Sequence, residues 1–140
     1  MKINAGSSLV EVLIAILFVS LVAVALLRLA VLNVNTSSYS TARSQAEDYA
    51  KQTLEWLKNE KEASWATFSV RSGTYCLASL SWDNNDHSCL STEKIGGTVF
   101  QREVVLVTGN PVQVTVKIFW DDSRGTHNIS KDALFGNEEY

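Results

Sequence analysis

The chain has 140 residues with 12 basic and 15 acidic side chains, a net charge of −3 and a mean hydropathy of +0.02. That length allows one domain, and the mild acidity argues against a general phosphate-backbone binder, whose affinity comes from a surplus of Lys and Arg. The near-zero hydropathy averages two unlike parts: residues 9 to 32 are almost wholly apolar, while residues 33 to 140, about 108 positions with 10 basic and 14 acidic residues, are too few for a long enzyme fold.

From Val12 to Leu27 sixteen residues carry no charge, and Ser20 is the one polar interruption. As a helix, Leu9 to Leu32 would extend roughly 36 Å, against roughly 30 Å for the hydrocarbon core of a bilayer. Neither glycine nor proline occurs between Ser7 and Ser72, so nothing obliges the helix to break where the apolar run ends. A plain transmembrane anchor is one reading. A secretory signal peptide is another, with Lys2 as its n-region and Ala23-Val24-Ala25 as an A-x-A cleavage site. That cut lies inside the apolar run and leaves Leu26, Leu27, Leu29, Val31 and Leu32 at the new terminus. Neither reading explains Glu11, an ionisable group that costs on the order of 3 kcal/mol inside a bilayer and calls for a partner or a function. Arg28, near the far end, can reach the interface with its side chain.

Residues Gly6-Ser7-Ser8-Leu9-Val10-Glu11-Val12-Leu13-Ile14-Ala15 resemble the type IV pilin signature, in which a short polar leader ends in glycine and a Glu follows five residues later in an apolar helix. Where most pilins carry an aromatic residue after that glycine, this chain has Ser7 and Ser8. The resemblance implies cleavage between Gly6 and Ser7 by a prepilin peptidase on the cytoplasmic side and N-methylation of the new amine of Ser7. It further implies that Glu11 governs subunit assembly by pairing with a neighbour's terminal amine, so that a charge costly in lipid becomes satisfied on leaving it. The implied partners are the prepilin peptidase, other pilin subunits through the N-terminal helix, the inner-membrane assembly machinery, and membrane lipid before assembly. The implied location is single-pass in the cytoplasmic membrane with the N-terminus inside, then a pilus or pseudopilus.

Residues 33 to 62 keep a helical period. Ala42, Ala46, Tyr49, Ala50, Thr53, Leu54 and Leu57 form one continuous face, and Arg43, Glu47, Lys51, Glu55, Lys58 and Glu62 lie opposite. Glu47 to Lys51 and Lys51 to Glu55 are spaced to pair. The face reads as a stripe packing on a domain core, and its alanines permit close approach of a covering sheet. The pilin resemblance adds a helix of about 80 Å at 1.5 Å per residue, its lower half free and its upper half packed on a head.

After Ser64 the period changes to two. Val112, Val114, Val116, Ile118 and Trp120 alternate with Gln113, Thr115, Lys117 and Phe119, the clearest strand in the chain. Thr98 to Val107 is a second strand, interrupted by Arg102 and Glu103. Thr108-Gly109-Asn110-Pro111 joins the two as a hairpin turn. Phe68 to Arg71 and Tyr75 to Leu80 are shorter strand candidates. A turn at Asp121 to Gly125 leads to an edge strand at Thr126 to Ile129. Together these give an α+β fold, a long N-terminal helix whose upper half packs on a small antiparallel sheet. Its parts are a leader at 1–6, a transmembrane or filament-core helix at 7–32, an amphipathic continuation at 33–63 and a head at 64–140. The segment Val114 to Ser130 also resembles the last hairpin of minor pilins of the PilV type.

Cys76 and Cys89 read as free thiols in a cytosolic domain and as a disulfide once a membrane segment delivers the head to an oxidising side. No cofactor is expected. Cys76, His87, Cys89 and His127 depart from zinc-site spacings. Asp83, Asn85 and Asp86 lack the glycine and bidentate Glu of a calcium loop. No nucleophile elbow or phosphate-binding glycine loop occurs, so no enzyme is expected. Trp56, Trp65, Trp82 and Tyr39 read as packing aromatics. The function implied is that of a minor pilin promoting assembly or adhesion. A minor pseudopilin of type II secretion or a competence pilin shares the motif. An unprocessed membrane-anchored binding domain, or an enzyme freed by signal peptidase, is the alternative from another class.

Overall fold

The computed structural model describes residues 5 to 83 and 86 to 137, with the side chains of the first helix described at 9 to 31 and from 36 onward. Helix α1, Ala5–Ala63, runs 59 residues without interruption. The chain divides into two units between Thr41 and Ala42, so α1 belongs to both. In the first unit every described side chain from Leu9 to Val31 is exposed. The most apolar 18-residue window of the helix has a mean hydropathy of 2.9 and none of it is buried, so the helix is long and apolar enough to cross a membrane. Ser20, the polar interruption, donates its hydroxyl to the Ile16 carbonyl at 2.7 Å and so needs no outside partner.

The second unit is the head, where the upper turns of α1 pack on a four-stranded antiparallel sheet. Ala46, Ala50, Thr53 and Leu57 are buried at i, i+4, i+7 and i+11, with Tyr49 and Leu54 half-buried at the margins, as the periodicity predicts. Two small side chains let the backbone approach the sheet closely, and full burial of Leu57 contributes about 2 kcal/mol. On the solvent face the expected Glu47–Lys51 and Lys51–Glu55 pairs give way to other partners. Lys51 lies 3.7 Å from Asp48, Arg43 3.4 Å from Glu47 and Lys58 3.8 Å from Glu62. Exchanging one exposed pair for another costs little.

Ser64 ends α1 in an extended conformation and caps the single turn α2, Trp65–Phe68, with its hydroxyl accepting from the Thr67 amide. The expected strand at Phe68 to Arg71 is therefore absent. Phe68 is instead a buried helical residue, edge-on to Phe135 at 5.6 Å between centroids. Strand β1, Gly73–Cys76, is shorter than the expected Tyr75 to Leu80. Leu77 makes one further bond to the Arg102 carbonyl at 2.8 Å, after which the chain leaves the sheet.

Strand β2, Gln101–Val107, begins later than expected because the Thr98 amide reaches back to the Ile95 carbonyl and its hydroxyl accepts from the Phe100 amide. Strand β3, Val112–Asp122, buries every second side chain from Val112 to Trp120. The hairpin turn between them contains a cis Asn110–Pro111 bond. Strand β4, Gly125–Phe135, pairs with β3 along all eleven residues, from Asp122 opposite Gly125 to Val112 opposite Phe135. The expected edge strand at Thr126 to Ile129 is its first part only. On the core-facing side of β4, Lys131 is exposed opposite Val116, so the alternation that marks β3 is weak there. Gly125 takes φ +124°, in the region that favours glycine, where the chain reverses into β4. The sheet order is β1-β2-β3-β4, an up-and-down meander.

Candidate functional site

The first candidate is the apolar half of α1. Glu11 is exposed there, and so is Arg28 seventeen residues on. Neither makes an ion pair or hydrogen bond among the described residues, and every other described side chain from Leu9 to Val31 is uncharged. Gly6 and Ser7, the expected processing and methylation positions, are described as helical backbone only. Met1 to Asn4 of the expected leader lie outside the described residues.

The second candidate is the connection from 77 to 100. Cys76 and Cys89 form a disulfide with Cα atoms 4.8 Å apart, at the mouth of this connection. Closing a loop of this size contributes about 3 kcal/mol in the loop-entropy model. Within the loop, Trp82 docks on the head. Its indole N–H donates to Glu60 Oε2 at 2.6 Å. The Arg71 guanidinium sits 4.4 Å from its ring centroid, Trp56 lies at 4.7 Å, and Tyr75 stands edge-on at 5.2 Å. Such contacts add on the order of 1 kcal/mol each beyond buried area. Gln101 donates its side-chain amide to the Leu90 carbonyl, and Ile95 and Phe100 are buried, so the loop's return leg is also held.

Beside this loop lies a group that the sequence hid. Arg102 falls on the core parity of β2 with Val104 and Leu106 and is only 3% exposed. Its Nε donates to the Leu77 carbonyl at 2.8 Å and its Nη1 to Thr53 Oγ1 at 3.4 Å, while Thr53 donates onward to the Tyr49 carbonyl. Burial pushes the guanidinium pKa down to about 10, which leaves it a cation at neutral pH. One side chain thus ties α1, β2 and the start of the loop together. The signal in the sequence was an arginine at a core position of an alternating strand.

The residues weighed as metal ligands have other partners. Cys76 and Cys89 are consumed by the disulfide. His87 Nε2 pairs with Glu93 Oε1 and His127 Nε2 with Asp122 Oδ1, each at 2.9 Å. Among the described residues no three His, Cys, Asp or Glu side chains converge. Asn85, one of the three oxygen donors considered for calcium, lies outside the described residues. The Leu90 amide and then His87 hold the Glu93 carboxyl below the usual range. The Arg124 amide and then His127 do the same for Asp122. Both are turn-closing carboxylates with these bonds made to residues nearby in sequence.

Of the aromatics, Trp56 and Trp82 pack on one another and Trp65 lies 6.4 Å from Phe68, in line with a packing role. No family model matches the chain, and neither does any curated protein or solved structure.

Proposed function

We propose that the chain is a minor pilin-like filament subunit, held in the membrane by the lower half of α1, trimmed after Gly6, and then built into a type IV pilus or related filament. The observation that carries this reading is Glu11, a carboxylate without a partner among the described residues on an otherwise apolar exposed helix, five residues beyond Gly6. A carboxylate in that setting favours any state that supplies a cation. Lipid supplies none in its hydrocarbon core, whereas a neighbouring subunit brings one in the amine of Ser7. The α+β head with its disulfide supports a secreted or periplasm-facing location. Its role in this reading is structural, to promote filament assembly or present a surface for adhesion, with no chemistry performed. A minor pseudopilin of type II secretion and a competence pilin share the motif of Gly6 and Glu11 and remain alternatives within this reading.

N-terminal mass spectrometry of the mature protein tests the reading. The expected start is a methylated Ser7. An intact Met1 would instead support an unprocessed anchored domain, and a start at Leu26 a signal peptide. In the same cells, Glu11→Val is expected to leave membrane insertion intact while abolishing incorporation into filaments. Normal incorporation of that variant would remove the role given to Glu11.

A further inference from the structure

The two edges of the sheet are finished differently. Along β1 the disulfide-closed loop lies against the strand at both ends. Cys89 is bonded to Cys76, and Asp86 Oδ1 comes so near Gly73 that a Cβ there would stand 3.2 Å from it. Beyond β4, last in the order β1-β2-β3-β4, no strand pairs among the described residues. The Leu77 amide bonds the Arg102 carbonyl, so Arg102 turns its backbone groups to β1. Alternation then turns Ile118, its partner in β3, toward β4, and turns Ile129 back toward β3. Thr126, Asn128, Ser130, Asp132 and Leu134 therefore aim their amides and carbonyls at the free edge, and all five are exposed. The edge is eleven residues long, holds no proline, and matches β3 residue for residue, so no bulge twists it away. Such an edge is a template for another strand. On the helix-facing side of β4, Lys131 is exposed and Ile129 and Ala133 are half-buried, so that side is also left open.

We propose that this edge receives β4 of a second copy of the chain, antiparallel and centred on Ser130, joining two heads into one continuous sheet. The strand is complementary to itself in that register. A two-fold axis normal to the sheet keeps each side chain on its own face, so residues of equal parity stand opposite one another. Ser130 is the midpoint of β4, and setting it opposite itself pairs all eleven residues. Asn128 then faces the partner's Asp132 with its amide as donor. Ile129 faces the partner's Lys131, whose methylene stem covers it. Centring on Lys131 or Asp132 sets two like charges face to face, and centring earlier leaves more of the strand unpaired. Lys131 is an inward-pointing charge of the kind that discourages indiscriminate pairing, and here it selects the register.

The same axis decides how the two chains arrive. Within the head, α1 lies along the sheet face through Ala46, Ala50, Thr53 and Leu57. A half-turn about the sheet normal reverses it, so the two chains enter their heads at Ala42 from opposite directions. Copies standing side by side in one membrane cannot meet in this way, whereas copies on two facing surfaces can. The contact is therefore made in trans, between apposed membranes or between filaments running in opposite directions. One strand pair is small beside a standard interface, so the contact acts by number, with many copies on each surface. This deepens the adhesive role in the filament reading by naming its partner. It rests on that reading only for the display of heads on a surface, and it holds equally for an unprocessed anchored chain.

The test is clustering of phosphatidylcholine vesicles that carry the full-length chain, inserted from outside so that heads face outward, followed by light scattering. Wild-type vesicles are expected to cluster, and to do so more as copies per vesicle increase. Ser130→Pro removes an amide aimed at the free edge and none from the ladder with β3. It should abolish clustering while the near-ultraviolet dichroism of the head stays unchanged. Asn128→Asp sets carboxylates opposite one another at two places and should raise the copy density needed for clustering about tenfold. Adding Asp132→Asn to that chain should restore the wild-type density, since the amide and carboxylate have changed places and residue 132 still offers an acceptor to the Thr115 hydroxyl. These two charge variants decide the matter where the proline disturbs the head. Wild-type vesicles that stay dispersed overturn the proposal. So does a well-folded Ser130→Pro chain that clusters like the wild type, or an Asn128→Asp effect that Asp132→Asn does not reverse. None of these outcomes touches the filament reading, which is decided by the mature N-terminus and by Glu11→Val.

Discussion

Arg28 and Arg102 are the same side chain in opposite circumstances. Arg102 is 3% exposed, with the Leu77 carbonyl and the Thr53 hydroxyl as acceptors within the head. Arg28 stands exposed among leucines and valines, with no acceptor among the described residues. In the head, apolar side chains are buried against one another and the buried Arg102 finds its acceptors within the unit. Along the lower helix the apolar side chains are outside and the charges unmatched, so the segment is complete only against something else. Both patterns obey one rule, that apolar surface leaves water and buried charge finds a partner. They differ in whether the partner is in the same unit.

The strongest way to break this comparison is to shorten one leucine in each region. Leu57 is fully buried and Leu17 is 59% exposed. Leu57→Ala is expected to lower the stability of the head by about 3 kcal/mol, combining lost transfer energy with a cavity. Leu17→Ala should leave the head's unfolding midpoint unchanged and show its effect in membrane partitioning alone. Urea unfolding followed by near-ultraviolet dichroism of the head's aromatics reads the difference. Equal destabilisation by both would mean that the lower helix is part of the head's folding unit.

A smaller contrast concerns the arginines themselves. Arg102→Ala leaves the Leu77 carbonyl without its side-chain donor and opens a void between α1 and β2, offset in part by removal of a buried cation. The net loss should be about 2 kcal/mol. Arg28→Ala should leave the head's stability as it is. If Arg102→Ala is silent in the same urea experiment, the guanidinium fills space in the head without joining its parts.

The sequence made most of this division legible, unevenly and for physical reasons. The stripe Ala46, Ala50, Thr53, Leu57 and the alternation of Val112 to Trp120 are strong signals because each element buries one face completely. Strand β4 shows only its beginning in the pattern, since its core-facing side is half-covered and Lys131 interrupts it. Its length follows from pairing with β3, which is a tertiary fact. The turn at Trp65 to Phe68 was hidden because an aromatic tetrapeptide suits strand or helix alike and the Ser64 cap decides it. Glu11 and the two cysteines were readable as candidates since a charge in an apolar run and a pair of thiols are conspicuous in one dimension. The clasp around Trp82 was not, as Glu60, Arg71 and Tyr75 converge on it from separate elements.

The finest contrast between the regions is in their response to acid. Two carboxylates of the head, Glu93 and Asp122, have pKa values below their ordinary ones, each chiefly through a backbone amide and then through a histidine. The folded head therefore holds these groups ionised at pH values where the unfolded chain has begun to take up protons. With more protons bound in the unfolded state, stability rises with pH through this range. The contribution is fully present above the ordinary carboxylate range, about pH 4 to 4.5, and is lost as pH falls through the lower folded values. Both groups close surface turns, so the effect should be the smallest of those considered. Measured as the urea midpoint between pH 6 and pH 3, the double variant Glu93→Gln, Asp122→Asn should show a flatter decline than the wild type. A midpoint that falls as steeply in the variant would place the acid sensitivity of the head elsewhere.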